Sequence, residues 1–176
     1  MKYFYTHTVF CFLLTIILLI FAILSNVEGG QSYWGLGFRQ HAENQLIEDY
    51  PFSDKDTSFG LNYQYHDLGG YWLINLDYAS GIEGTNLIKQ VITPAISLVL
   101  TENNWRLGIG VQRHHIEQED GHKYWNDINW QAIGGYKLPL AGVILDLYVF
   151  MPFSSFSDIK IKSDYLEYGV SAVFKF

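Results

Sequence analysis

The last eleven residues, Leu166-Glu-Tyr-Gly-Val-Ser-Ala-Val-Phe-Lys-Phe176, constrain this chain more than any other stretch. Leu166, Tyr168, Val170, Ala172, Phe174 and Phe176 share one face of an extended strand. Glu167, Gly169, Ser171 and Lys175 share the other, with Val173 the only large apolar residue among them. Period-two alternation of this length specifies a strand with one apolar and one polar side.

Seven further segments read the same way. Tyr33–Gln40 sets Trp34, Leu36 and Phe38 against Gly35, Gly37 and Arg39, and Ser58–His66 sets Phe59, Leu61, Tyr63 and Tyr65 against Gly60, Asn62 and Gln64. Tyr71–Ser80 sets Trp72, Ile74, Leu76 and Tyr78 against Asn75 and Asp77. Gln90–Thr101 is the weakest, because Pro94 cannot donate to a ladder and requires a bulge or a strand end. Trp105–His114, Asn126–Lys137 and Ala141–Met151 complete the set. The links at residues 67–70, 102–104 and 138–140 are short, whereas those at 41–57, 81–89, 115–125 and 152–165 are long and polar. Short and long links alternate throughout. Tight turns at one end and long loops at the other are the pattern of an up-and-down transmembrane β-barrel. Lipid permits no unpaired strand edge, so such a sheet must close.

The N-terminus agrees. Lys2 precedes an apolar run from Val9 to Leu24, interrupted only by Thr15, and the chain then turns small and polar at Ser25–Gly30. These features specify a secretory signal peptide over residues 1–29, cleaved near Gly29, with a single domain over residues 30–176. Cys11 lies inside the apolar run, so the mature chain has no thiol and no disulfide. The net charge of −7 carries no clustered basic footprint for nucleic acid.

With eight strands, a signal peptide and a terminal aromatic at Phe176, the mature chain resembles the small eight-stranded outer-membrane β-barrels. That resemblance implies an all-β, antiparallel, up-and-down barrel in the bacterial outer membrane, a monomer without cofactor. It implies contact with the bilayer and lipopolysaccharide, and delivery to the outer-membrane assembly machinery through the strand ending in Phe176. It also places both termini at the periplasmic end. Trp34, Tyr65, Trp72, Trp105, Tyr136 and Phe176 then form one aromatic girdle, and Phe38, Phe59, Tyr78 and Tyr168 the other. A soluble barrel of lipocalin type accounts equally well for the alternation, but poorly for the girdles and the final Phe.

Side chains just fill the inside of an eight-stranded barrel, so a packed polar interior is expected rather than a pore. Its ionisable members are Arg39, Arg106 and Lys175 against Asp77, Asp146 and Glu167, a balanced set. Closure brings the first strand beside the last, which makes Arg39 and Glu167 the first candidate pair. Arg113 falls on the lipid-facing register just above the apolar band, where it could meet a lipid phosphate.

Two kinds of chemistry compete with this structural role. Residues 113–122 hold His114, His115 and His122 with three carboxylates, a candidate transition-metal site. The first two histidines are strand neighbours and point to opposite faces, so a solvated loop is the expected state. The second is a lipid A-modifying enzyme with its site at the outer rim. The lipid A deacylases carry a His-x-Ser pair, but no mature histidine here is followed by Ser two places on. The lipid A palmitoyltransferases begin with an amphipathic helix, for which the residues before Tyr33 leave no room. His41, Asp77 and Ser80 are a loose echo of the palmitoyltransferase set, without its spacing. The expected role is therefore non-enzymatic: envelope structure, adhesion or surface interaction through four outer loops.

Overall fold

The computed structural model describes residues 30–67, 69–82, 88–140, 142–158 and 162–175. Residues 1–29, expected to be a signal peptide, lie outside the described residues, as do Glu83 and the terminal Phe176. The strands are β1 (Gln31–Gln40), β2 (Thr57–Asp67), β3 (Gly70–Ser80), β4 (Ile88–Glu102) and β5 (Trp105–Gln112). They continue with β6 (His115–Gln118), β7 (Lys123–Trp125), β8 (Asn129–Leu140), β9 (Val143–Phe153) and β10 (Glu167–Lys175). Eight of these, all but β6 and β7, form a closed antiparallel barrel, with β1 paired to β10 and β3 paired to β4.

Alternation along each strand sorts the side chains. Leu36, Phe59, Trp105 and Leu107 stand out at 65–70% exposure, and the next residue inward on each strand is buried or half-buried. The tight turns suit the residues in them. Asn103 at φ 54° and Gly69 at φ 77° take the left-handed backbone that two-residue hairpins need.

The strands are strongly staggered. From Phe38, stepping through Phe59, Tyr78 and Ile92 reaches His115. Stepping the other way through Val170, Leu147 and Tyr136 reaches Trp105. The ten-residue offset between the two end points is the shear that tilts the strands around a narrow barrel.

Three expectations need correction. The segment 115–125 is not a plain loop: β6 continues β5 in the same register along the outer part of β4, and β7 folds back on β6. Pro94 lies inside β4, at the gap where pairing with β5 ends at Gln112 and pairing with β6 begins at His115. Its carbonyl still accepts from the Arg113 N–H at 3.2 Å, so the missing donor falls where the ladder is already interrupted.

Nor is the interior uniformly polar. Tyr71, Leu73, Val99, Ile133, Tyr148 and Phe150 form a buried inward-facing cluster. It separates a charged tier near the short turns, Arg106 with Asp146, from one near the long loops, Arg39 with Glu167. Inward aromatics fill width that short polar side chains would leave empty. The third correction concerns the girdle nearer the short turns. Tyr65 is on the outward register but buried, as is Tyr63. Trp34 leans on the Tyr63 ring at 4.8 Å between ring centres, and Gly30 lies so close to the Tyr65 ring that a Cβ there would collide with it.

Candidate functional site

The mouth nearest the long loops is where ionisable side chains concentrate. Glu167 opens β10 and faces inward, and Arg39 ends the inward row of β1. The pairing of Arg39 with Gly169 brings the two side chains together. The guanidinium meets the Glu167 carboxylate at 2.5 and 2.6 Å and also donates to Gln112 and Gln131 at 3.2 and 3.3 Å. Its flat face rests on Phe150, 4.1 Å from the ring centre. Both charged groups are buried, at 3% and 0% exposure, so each depends on the other's charge.

Residues 41–56 fold down onto this pair. His41 sets Nδ1 3.2 Å from Glu167 and Nε2 2.9 Å from the Ser58 hydroxyl, and the Tyr50 hydroxyl donates to Glu167. Phe52 stacks flat on the His41 ring at 3.6 Å and meets His114 edge-on at 5.4 Å. Phe52 also anchors an apolar cluster with Ala79, Ile82, Ile88, Val91 and Ile116, so the loop is packed on the extended β4–β6 ledge. Asn44 donates to the Pro152 carbonyl at 2.9 Å and ties the first long loop to the end of β9. Burial and the neighbouring Glu167 charge push the Tyr50 hydroxyl well above its usual pKa, so it remains a donor. Burial, reinforced by the neighbouring His41 and the Arg39 guanidinium, lowers His114 to about 3.

Ser58, His41 and Glu167 stand in the order of a nucleophile, its base and an orienting acid. However, Ser58 is 1% exposed and Phe52 covers the imidazole face. The chain of bonds therefore works as a clasp that holds the first loop in the mouth.

The other predicted residues are distributed as follows. Asp146 accepts from Gln64 at 2.8 Å and from Tyr148 at 3.2 Å, with Arg106 at 3.8 Å. Asp77 is buried but makes none of the ion pairs seen among the described residues. Lys175 corrects the balanced-interior expectation: it is on the inward register, yet the end of β10 leaves it exposed, and it also joins none of those pairs. Ser80 is exposed on the outward register of β3 while Asp77 faces inward, so the His41, Asp77 and Ser80 set is not assembled.

His114 is fully buried against Thr93 at 2.8 Å, whereas His115 packs on Trp125 and His122 is exposed. No metal-holding group of His, Cys, Asp or Glu forms among the described residues. Tyr50 and Ser58 were missing from the sequence reading. Nothing in their local pattern marks them: Tyr50 serves Glu167 at the far end of the chain, and Ser58 serves His41 across the first long loop.

A closed eight-stranded antiparallel barrel with an apolar exterior and charged interior is the fold of the small outer-membrane barrels. The crystal structure of Neisserial surface protein A (NspA) is similar, with a TM-score of 0.52 and 11% identity, over 85% of this chain and 100% of that one. The solution structure of outer membrane protein H (OprH) from P. aeruginosa in DHPC micelles gives a TM-score of 0.47 and 15% identity, over 83% and 99%. At 11% identity the likeness to NspA is one of fold. No family model matches the chain, and no curated protein matches it in sequence.

Proposed function

We propose that this protein is an outer-membrane barrel that serves as a scaffold for its four long loops, in envelope structure, adhesion or surface interaction. The observation that carries the reading is the inverted distribution of polarity. Leu36, Leu61, Leu76, Leu98, Leu107 and Leu147 are exposed on the outer wall, while Arg39, Arg106, Asp77, Asp146 and Glu167 are inside. Water would penalise such an exterior, whereas a bilayer requires one. The plugged mouth and filled interior support a scaffold rather than a diffusion pore.

The test is folding of the mature chain into lipid vesicles, read by the difference in gel mobility between heated and unheated samples. The expected result is a compact species that only heating unfolds. A chain that stays monomeric and soluble without detergent would overturn the proposal.

A further inference from the structure

Arg113 leaves β5 on the outward register, level with the start of the long loops, and its guanidinium is held in place. Nε donates to the Asn126 carbonyl at 2.7 Å, and the group lies 5.5 Å from the centre of the Trp125 ring. It joins none of the ion pairs seen among the described residues. A cation fixed through Nε keeps its two terminal nitrogens available for a bidentate acceptor, with little ordering left to lose on binding.

Beside it opens a notch of about 600 Å³ between the first loop and the tops of β8 and β9, lined by Leu46, Glu48, Asp127, Ile128, Asn129 and Ser154. Ile128 is 60% exposed. Trp130 follows it on the outward face and packs on the exposed Phe156 at 4.9 Å, so an apolar wall runs down from the notch. A polar notch above an apolar, aromatic-rich wall suits an amphiphile at a membrane interface.

The two carboxylates narrow the choice of ligand. A bare phosphate on Arg113 would share the notch with Glu48 and Asp127, and like charges at close range oppose binding. A phosphate that carries a primary ammonium group satisfies both signs. We propose that this notch binds a phosphoethanolamine headgroup, with the phosphate on Arg113, the ammonium between Glu48 and Asp127, and an acyl chain along Ile128, Trp130 and Phe156. The inference rests on the membrane reading above. The headgroup could belong to a phospholipid or to a lipid A carrying the same substituent.

Native mass spectrometry of the micelle-solubilised barrel, equilibrated with equal amounts of phosphatidylethanolamine and phosphatidylglycerol, tests it. The heat-dependent gel shift of each sample reports separately whether the barrel has folded. Folded wild type should retain phosphatidylethanolamine over phosphatidylglycerol by about fivefold, the equivalent of one net hydrogen-bonded contact. Arg113→Gln should abolish retention of both lipids. The double variant Glu48→Gln, Asp127→Asn should reverse the preference toward phosphatidylglycerol. Equal retention of the two phospholipids by folded wild type together with equal retention of lipid A with and without phosphoethanolamine, or a preference that survives Arg113→Gln, overturns the proposal. A parallel arm with lipid A, with and without phosphoethanolamine, identifies the source: retention of only the substituted form assigns the site to lipid A.

Discussion

At the scale of single residues, this protein concentrates its risk in Glu167. One carboxylate holds Arg39, His41 and Tyr50, which arrive from β1 and the first long loop, more than a hundred positions away in sequence. Glu167→Gln should cost about 3–5 kcal/mol, because it leaves a buried guanidinium without its counter-charge. Urea unfolding from vesicles measures the cost, and a double-mutant cycle with Arg39→Met isolates the pair term. On the wall, Leu147→Arg should cost about 2–4 kcal/mol, the penalty for a lipid-facing cation midway along a membrane strand. His114 gives a pH dependence. Its folded pKa of about 3 lies below the ordinary 6.5, so the stability it contributes is complete above pH 6.5 and is lost as pH falls toward 3. Acid titration of the unfolding midpoint should be shallower in His114→Gln than in wild type over that window.

At the scale of elements, much was legible and one element was not. The alternation of Leu166–Phe176 marks β10, and the short links at residues 67–70 and 102–104 mark two hairpins; the third expected link, 138–140, is instead the paired end of β8, and that hairpin turns between Leu140 and Val143. Period-two patterning is a local signal, so it survives in the sequence. The β6–β7 hairpin did not stand out, because His114, His115 and three carboxylates give its stretch the composition of a loop. Its strands are held by cross-strand ion pairs instead. Lys89 and Lys123 bind Glu117 at 2.9 and 2.6 Å, and Gln90 adds a bond at 2.8 Å. The bonds from Lys123 and then Lys89 lower Glu117 to about 2, so the clamp is charged at any ordinary pH. Glu117→Gln should speed amide exchange in residues 115–125 and leave the barrel strands unchanged. Added salt should have the same effect in wild type, since the lysines are exposed. The position of the first loop was equally hidden: its contacts depend on Glu167, which no local pattern connects to Tyr50 or Phe52.

At the scale of the whole molecule, the arrangement makes a directional prediction. All long links leave one end of the barrel, so they should share one side of the membrane. Single cysteines at Asp54 and Glu119 should react with an impermeant maleimide on intact cells, and one at Asn103 should not. Labelling at Asn103 would invert the orientation. Because aromatic and charged side chains fill the lumen between the two mouths, the barrel reconstituted in a planar bilayer should show no steady conductance.

The pairing of β1 with β10 has a kinetic consequence. Gln40 meets Tyr168 and Tyr33 meets Lys175, so the contact that closes the barrel joins its first strand to its last. The entropy of closing that loop must be met before the contact can repay it, which slows folding. Until β10 docks on β1, the facing edges of both strands present unpaired amides, and Arg39 lacks the Glu167 carboxylate. Closure of the sheet and neutralisation of the buried cation are therefore one event.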